Sequence, residues 1–209
     1  MHGRLLIPLA AALGAAGVLV GCATAPSDAE ISAKATAMLK GSFNARGQAK
    51  LDRLDQDEAQ KACTDTAGKA LPKDVAARIE SANLATIKWP ADGKYLGDWK
   101  NGEKIAQEGR GMQYSDDPKG PVGANCYACH QLTPQELAYG TIGPSLYQFA
   151  KARGYGPDIQ KYAYGKVYNS EAYAACTSMP RFGHNGILSE QQIKDVVALL
   201  MDPASPVNK

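Results

Sequence analysis

The chain has 209 residues, a net charge of +2 and 44% hydrophobic residues, room for one ordinary domain with an extension or for two small ones. Residues 26–96 hold 11 Lys+Arg against 10 Asp+Glu, and residues 97–209 hold 11 against 11. Neither half carries the basic excess that nucleic acid or an anionic membrane surface calls for, and nucleic acid is not expected as a partner.

Residues 1–21 read as a targeting segment, which is left out of fold reasoning. Arg4 supplies its positive start, and residues 5–20 supply an apolar core too short for a membrane-spanning helix. Leu19-Val20-Gly21-Cys22 is similar to a bacterial lipoprotein box, in which Cys22 is acylated and becomes the new N-terminus. Ala23-Thr24-Ala25 offers a competing cleavage site of the ordinary secretory kind. Both routes place the mature chain outside the cytoplasm, in the periplasm, with a lipid tether only in the first case.

Residues 22–96 are expected to form a helical N-terminal extension. Ile31, Ala35, Met38 and Leu39 recur at the spacing of one helix face. A second helix is predicted over residues 51–63, with Asp52, Arg53, Asp55, Asp57 and Glu58 on its solvated side. A third is predicted from Pro72, turning Val75 and Ile79 inward. No cluster here has ligand or catalytic spacing. Turn residues at Trp89-Pro90-Ala91-Asp92-Gly93 interrupt the pattern, all ten tyrosines fall between Tyr95 and Tyr173, and the boundary is set at residue 97.

In the second segment, 97–209, residues 98–107 are predicted helical, with Trp99, Ile105 and Ala106 for a buried face and Gly102 small enough for close helix contact. A Gly- and Pro-rich loop then leads to Cys126-Tyr127-Ala128-Cys129-His130. That run is the attachment signature of a covalently bound haem c: two thiols for two vinyl groups, and a histidine placed to ligate iron. A zinc site would need a second pair of Cys or His at short spacing, and a dithiol redox motif would sit near a βαβ pattern; neither is present. Thr133-Pro134-Gln135-Glu136 matches a helix capping box. Gly140-Thr141-Ile142-Gly143-Pro144-Ser145-Leu146 is a Gly-Pro turn, and residues 155–173 are expected to be partly helical. The final helix starts at the Ser189/Gln192 capping box, buries Ile193, Val196, Val197 and Leu200, and stops at Asp202-Pro203. A helix before the haem motif and another at the C-terminus make an all-α, class I cytochrome c domain.

A haem iron with one histidine needs a sixth ligand, and a thioether favours the reduced ion. Met179 is the favoured donor, in a loop before the last helix and followed by Pro180. Met38, Met112 and Met201 are the other thioethers, and His184 is the rival imidazole. Of the five cysteines, Cys63 and Cys176 remain after haem and Cys22 are accounted for. An oxidising compartment favours a disulfide between them, the alternative being two buried thiols that never meet. A reactive Cys176 would need a low-pKa setting, for which the neighbouring residues supply no excess positive charge.

Asn125 to Gln131, Gly140 to Leu146, Met179-Pro180-Arg181-Phe182-Gly183-His184, and Gly186-Ile187-Leu188 through Leu200 together resemble the SoxX family. Its members are monohaem cytochrome subunits of the SoxAX complex of bacterial sulfur oxidation. The resemblance implies that Cys126 and Cys129 carry one haem c, that His130 and Met179 ligate its iron, and that the Pro144 carbonyl accepts a hydrogen bond from His130. It further implies a heterodimer with a SoxA-like haem subunit holding the catalytic centre of an L-cysteine S-thiosulfotransferase. Thiosulfate would there be oxidatively coupled to a cysteine of a SoxYZ-like carrier protein. This chain would accept the electrons and pass them to a soluble cytochrome c. The alternative is a free-standing periplasmic or lipid-anchored electron carrier. Cys22 and Cys176 are the departures from the pattern.

Overall fold

A computed structural model describes residues 25–66 and 68–209. The targeting segment and Cys22 lie outside the described residues. The chain divides into two compact units, with the break at Gly41/Ser42.

Helix α1 (Asp28–Ser42) accounts for most of the described part of the first unit. Its first turn is closed reciprocally: Ser27 Oγ accepts from the Glu30 amide at 3.3 Å and the Glu30 carboxylate accepts from the Ser27 amide at 2.8 Å. The expected helix forms, but none of its residues is buried.

The second unit contains α2 (Glu58–Asp65), α3 (Lys73–Ala85), α4 (Trp99–Gln107), α5 (Phe149–Arg153), α6 (Pro157–Tyr168) and α7 (Glu190–Met201), with short 3-10 turns at Leu51–Leu54, Cys126–Ala128, Ser170–Ala172 and Pro206–Asn208. No strand occurs among the described residues, only an isolated bridge between Arg46 and Ala49. The all-helical expectation is met.

Three local expectations need correcting. The helix predicted over residues 51–63 is split: a 3-10 turn ends at Leu54 and α2 begins afresh after Asp57. There the Asp57 carboxylate accepts from the Gln60 amide (2.9 Å) and the Gln60 side chain accepts from the Asp57 amide (3.0 Å). This local box holds the backbone of Asp57 out of the helix, and residues 51–63 cannot run on as one rod. In α3, Pro72 precedes the helix and does not open it, while Ile79 is buried as expected. The Thr133 box starts no helix. Thr133 is buried against the Tyr127 hydroxyl, and the Glu136 carboxylate accepts instead from the Ala138 amide at 2.8 Å.

The architecture is organised by the crossing of α4 and α7. A Cβ at Gly102 would run into the Asp195 carbonyl oxygen, so the two backbones approach as closely as a glycine allows. The buried Asp195 carboxylate accepts from the Asp98 amide and from Gln191 Nε2, both at 2.8 Å, and ties the start of α4 to α7. Ser189 and Gln192 form the expected reciprocal cap of α7. Ile193, Val197, Leu199 and Met201 are fully buried along it, each worth about 1.5–3 kcal/mol of apolar burial. Beyond the last turn, Asn208 Nδ2 donates to the Leu200 and Asp202 carbonyls at 3.0 Å each, satisfying acceptors that the helix end leaves open.

Candidate functional site

The chain reaches the Cys126 motif along the exit of α4. The Ala124 amide donates to the Ile105 carbonyl (2.9 Å) and the Asn125 amide to the Glu108 carbonyl (3.0 Å), so the incoming strand of loop lies back against the helix end. Asn125 adopts a left-handed backbone, φ 44°, a conformation asparagine tolerates better than most residues. It starts the 3-10 turn Cys126–Ala128, closed by Cys129 N to Cys126 O at 3.1 Å and His130 N to the same oxygen at 2.9 Å. The turn sets Cys126 and Cys129 at its two ends while Tyr127 is buried in the core. Neither thiol is in a disulfide.

The Gly-Pro turn is clamped onto this motif rung by rung. The Gly140 amide donates to the Tyr127 carbonyl (2.8 Å), Gly143 to Cys129 (2.9 Å) and Leu146 to Gln131 (2.8 Å). Glycine is required twice: a Cβ at Gly140 would strike the Ala128 carbonyl, and one at Gly143 would enter the His130 imidazole. Between these rungs His130 Nδ1 lies 2.7 Å from the Pro144 carbonyl oxygen. A carbonyl can only accept, so Nδ1 carries a proton, and in the neutral imidazole Nε2 is then the nitrogen with the lone pair. That is the tautomer and orientation a metal-ligating histidine needs.

These residues fit a covalently held haem: two unpaired thiols on one turn, followed by an imidazole with one nitrogen anchored and the other available. They fit the competing readings poorly. Burial pushes the Cys126 thiol up to about 12, whereas a redox-active dithiol needs a depressed value. No cluster of His, Cys, Asp or Glu among the described residues has the donors of a metal-ion site.

The candidate sixth ligands are placed very differently. Met179 is half-buried and packs, like Cys126 and Leu146, against the main hydrophobic core. Its carbonyl accepts from Ser170 Oγ at 2.5 Å and its amide donates to Thr177 Oγ1 at 3.3 Å. Met38 is 74% exposed on α1, Met112 is exposed, and Met201 is 1% exposed inside the packing of α7. His184 is exposed, with Nδ1 at 3.1 Å from Thr86 Oγ1. Partial desolvation of its ring and the nearby Arg181 lower its pKa from the ordinary histidine value, against the pull of Asp57.

Cys63 and Cys176 are bonded to each other, with their Cα atoms 5.5 Å apart. Cys176 itself has a left-handed backbone, φ 62°. Arg181, 7% exposed, reaches Asp57 at 2.6 Å and Glu171 at 3.5 Å. Burial raises the Glu171 pKa against the pull of Arg181. Burial also opposes ionisation of Asp57, but the Gln60 amide and Arg181 outweigh it and hold that carboxyl below its usual range. Sequence reading missed this arginine and its acidic partners. An arginine next to a proline in a loop has no local signal of burial.

The cytochrome c family profile matches residues 119–202. A protein of Aquifex aeolicus (strain VF5), described as an uncharacterized lipoprotein, is 40% identical over 157 residues, which cover 74% of this chain and 73% of that protein. Residues 119–202 are a cytochrome c domain. In this cytochrome the matched stretch takes in the Cys126–His130 motif, the Gly-Pro turn, Met179 and all of α7, and leaves α1 to α4 before it. Such a domain implies haem c as the cofactor, in agreement with the geometry of the two thiols and the anchored imidazole.

Proposed function

We propose that this cytochrome is an exported one-electron carrier, with one haem c attached through Cys126 and Cys129 and ligated by His130 and Met179. The supporting observation is the His130–Pro144 contact within a turn that presents two unpaired thiols. A haem c bound there supplies a ferrous/ferric couple, and a thioether ligand raises its potential. His130 is held by Pro144 and Gly143 in the ligating tautomer. Met179 supplies the neutral sulfur, and its position against the core limits the access of water. Residues 97–209 form the cytochrome domain in this reading and residues 22–96 an extension to it. The relative's description as a lipoprotein supports acylation of Cys22 and a membrane tether on the periplasmic side. Mass spectrometry of the intact mature protein tests this directly. The expected mass includes one haem and a diacylglyceryl-modified Cys22, and C126S/C129S loses the haem; a haem-free mature chain overturns the reading.

A finer reading is supported by the Met179 to His184 and Gly140 to Leu146 motifs, which resemble SoxX cytochromes. In it the carrier is the electron-accepting subunit of a thiosulfate-oxidising heterodimer, beside a SoxA-like haem subunit and a SoxYZ-like carrier, and delivers electrons to a soluble cytochrome c. Stable co-purification with a larger haem subunit, and loss of thiosulfate oxidation on deletion, are its expected results. Isolation as a monomer with thiosulfate oxidation intact on deletion overturns it and leaves the general carrier.

A further inference from the structure

The loop that carries Met179 has almost no regular structure of its own. Between α6 and α7 it makes the short turn Ser170–Ala172 and otherwise only bends and turns. Beside near-sequence contacts, such as the Gly183 and His184 amides donating to the Tyr168 carbonyl at 3.0 Å each and Ser170 Oγ donating to the Met179 carbonyl, it has a set of distant anchors from residues 57–86. Asn169 Nδ2 donates to Asn83 Oδ1 (2.9 Å) and Thr86 Oγ1 (3.0 Å). The Ala175 amide donates to Glu80 Oε1 at 3.1 Å. Cys176 is bonded to Cys63, Arg181 is paired to Asp57 at 2.6 Å, and His184 meets Thr86. Met179 falls in the gap between Cys176 and Arg181, a stretch of chain with both ends fixed from outside.

We infer that residues 57–86 are a brace for the ligand loop, with Asp57, Cys63, Glu80 and Thr86 as positioning residues for the axial thioether. This rests on Met179 being the second ligand, as proposed above. A thioether is a neutral donor with no charge to hold it, so its retention depends on how much freedom the loop loses when it binds. Anchors that fix the loop beforehand reduce that loss. The brace also gives His184 Nδ1 a partner in Thr86.

The test uses the full-length holoprotein and the far-red charge-transfer band that a thioether gives with ferric iron, followed as the pH is raised until the band is lost. D57N keeps an oxygen to cap α2 while removing the charge that faces Arg181, and C63S/C176S removes the covalent anchor. Both are expected to retain haem and helical circular dichroism and to lose the band about one pH unit or more below wild type, a tenfold shift in ligand retention. V207A, a packing loss at the C-terminal turn, is expected to lower Tm without moving that pH. A wild-type pH in both brace variants, or an equal shift in V207A, overturns the brace while the ligand assignment stands. M179L separates the two ideas: it is expected to abolish the band at every pH, and a band that survives overturns the ligand assignment and the brace with it.

Discussion

Where α4 crosses α7, closeness comes from missing side chain: Gly102 lets the helix backbone rest on the Asp195 carbonyl, and Leu199 and Ile193 fill the surrounding space. Where α2 and α3 meet residues 169–184, the contacts are between named polar atoms, two carboxylates on one arginine, and a sulfur–sulfur bond. The first junction depends mainly on volume, with the Asp195 carboxylate tying one edge of it, and contains no group that a reductant would change. The second depends on charge, direction and oxidation state. A cytochrome built this way has a haem-motif side stabilised by packing and a ligand-loop side stabilised by chemistry that can be removed one group at a time.

That contrast can be broken most forcefully by reducing the disulfide. The bridge spans 113 positions of sequence, and the chain-entropy model assigns such a cross-link about 4 to 5 kcal/mol before any native strain. Reduction, or C63S/C176S, is expected to lower stability toward that extent in urea unfolding, and to accelerate amide exchange in residues 169–184 well before α4 or α7. Equal acceleration in both regions would remove the distinction. On the packing side, Leu199→Ala deletes a side chain that is 1% exposed and is expected to cost about 3 kcal/mol, with the same loss under reducing and oxidising conditions.

Charge gives a smaller, pH-dependent effect. Asp57 is held below the usual carboxylate range in the folded chain, against the opposing effect of its burial. Its contribution is therefore complete above the ordinary value of 3.8 and is lost as pH falls through the depressed folded value. D57N is expected to cost about 1 kcal/mol at pH 7, a figure discounted because the carboxylate is 41% exposed. The wild-type and D57N stability curves should converge as the pH drops below 3.8; parallel curves would mean that Arg181 does not act through this carboxylate. Ser189→Ala removes the cap of α7 at 3.3 Å and is expected to cost about 1 kcal/mol at any pH in this range.

How much of this could be read in advance depended on whether the deciding contact was local. The start of α7 was legible because Ser189 and Gln192 satisfy each other within one turn, and the small residue at Gly102 already pointed to a close helix contact. The same logic misled at Thr133, where a pattern of the same type starts no helix: the Thr133 hydroxyl faces the Tyr127 hydroxyl and the Glu136 carboxylate accepts from the Ala138 amide. It misled again over residues 51–63, where Asp57 has a strong local partner that a pattern of solvated charges conceals. The brace was not legible at all. Asp57 with Arg181, Glu80 with the Ala175 amide, and Asn83 with Asn169 join residues whose own neighbourhoods give no hint of a distant partner. Cysteine counting can nominate Cys63 and Cys176 as a pair, but it cannot say that the bond holds one side of a loop whose other side is held by a buried guanidinium.

The disulfide also sets a problem in assembly order. In the exported carrier proposed above, Cys63 would leave the export channel ahead of Cys126 and Cys129, and its partner Cys176 would follow all of them. Four thiols allow three complete pairings, and a thiol emerging into an oxidising compartment meets the nearer candidates first. Native pairing is then favoured if the two motif cysteines are withheld, by the porphyrin or by a reductant, until residue 176 has arrived, and otherwise depends on exchange of the early bonds. In that reading, maturation of the haem motif before closure of the brace is the productive order, and early oxidation of the chain would leave its attachment site spent.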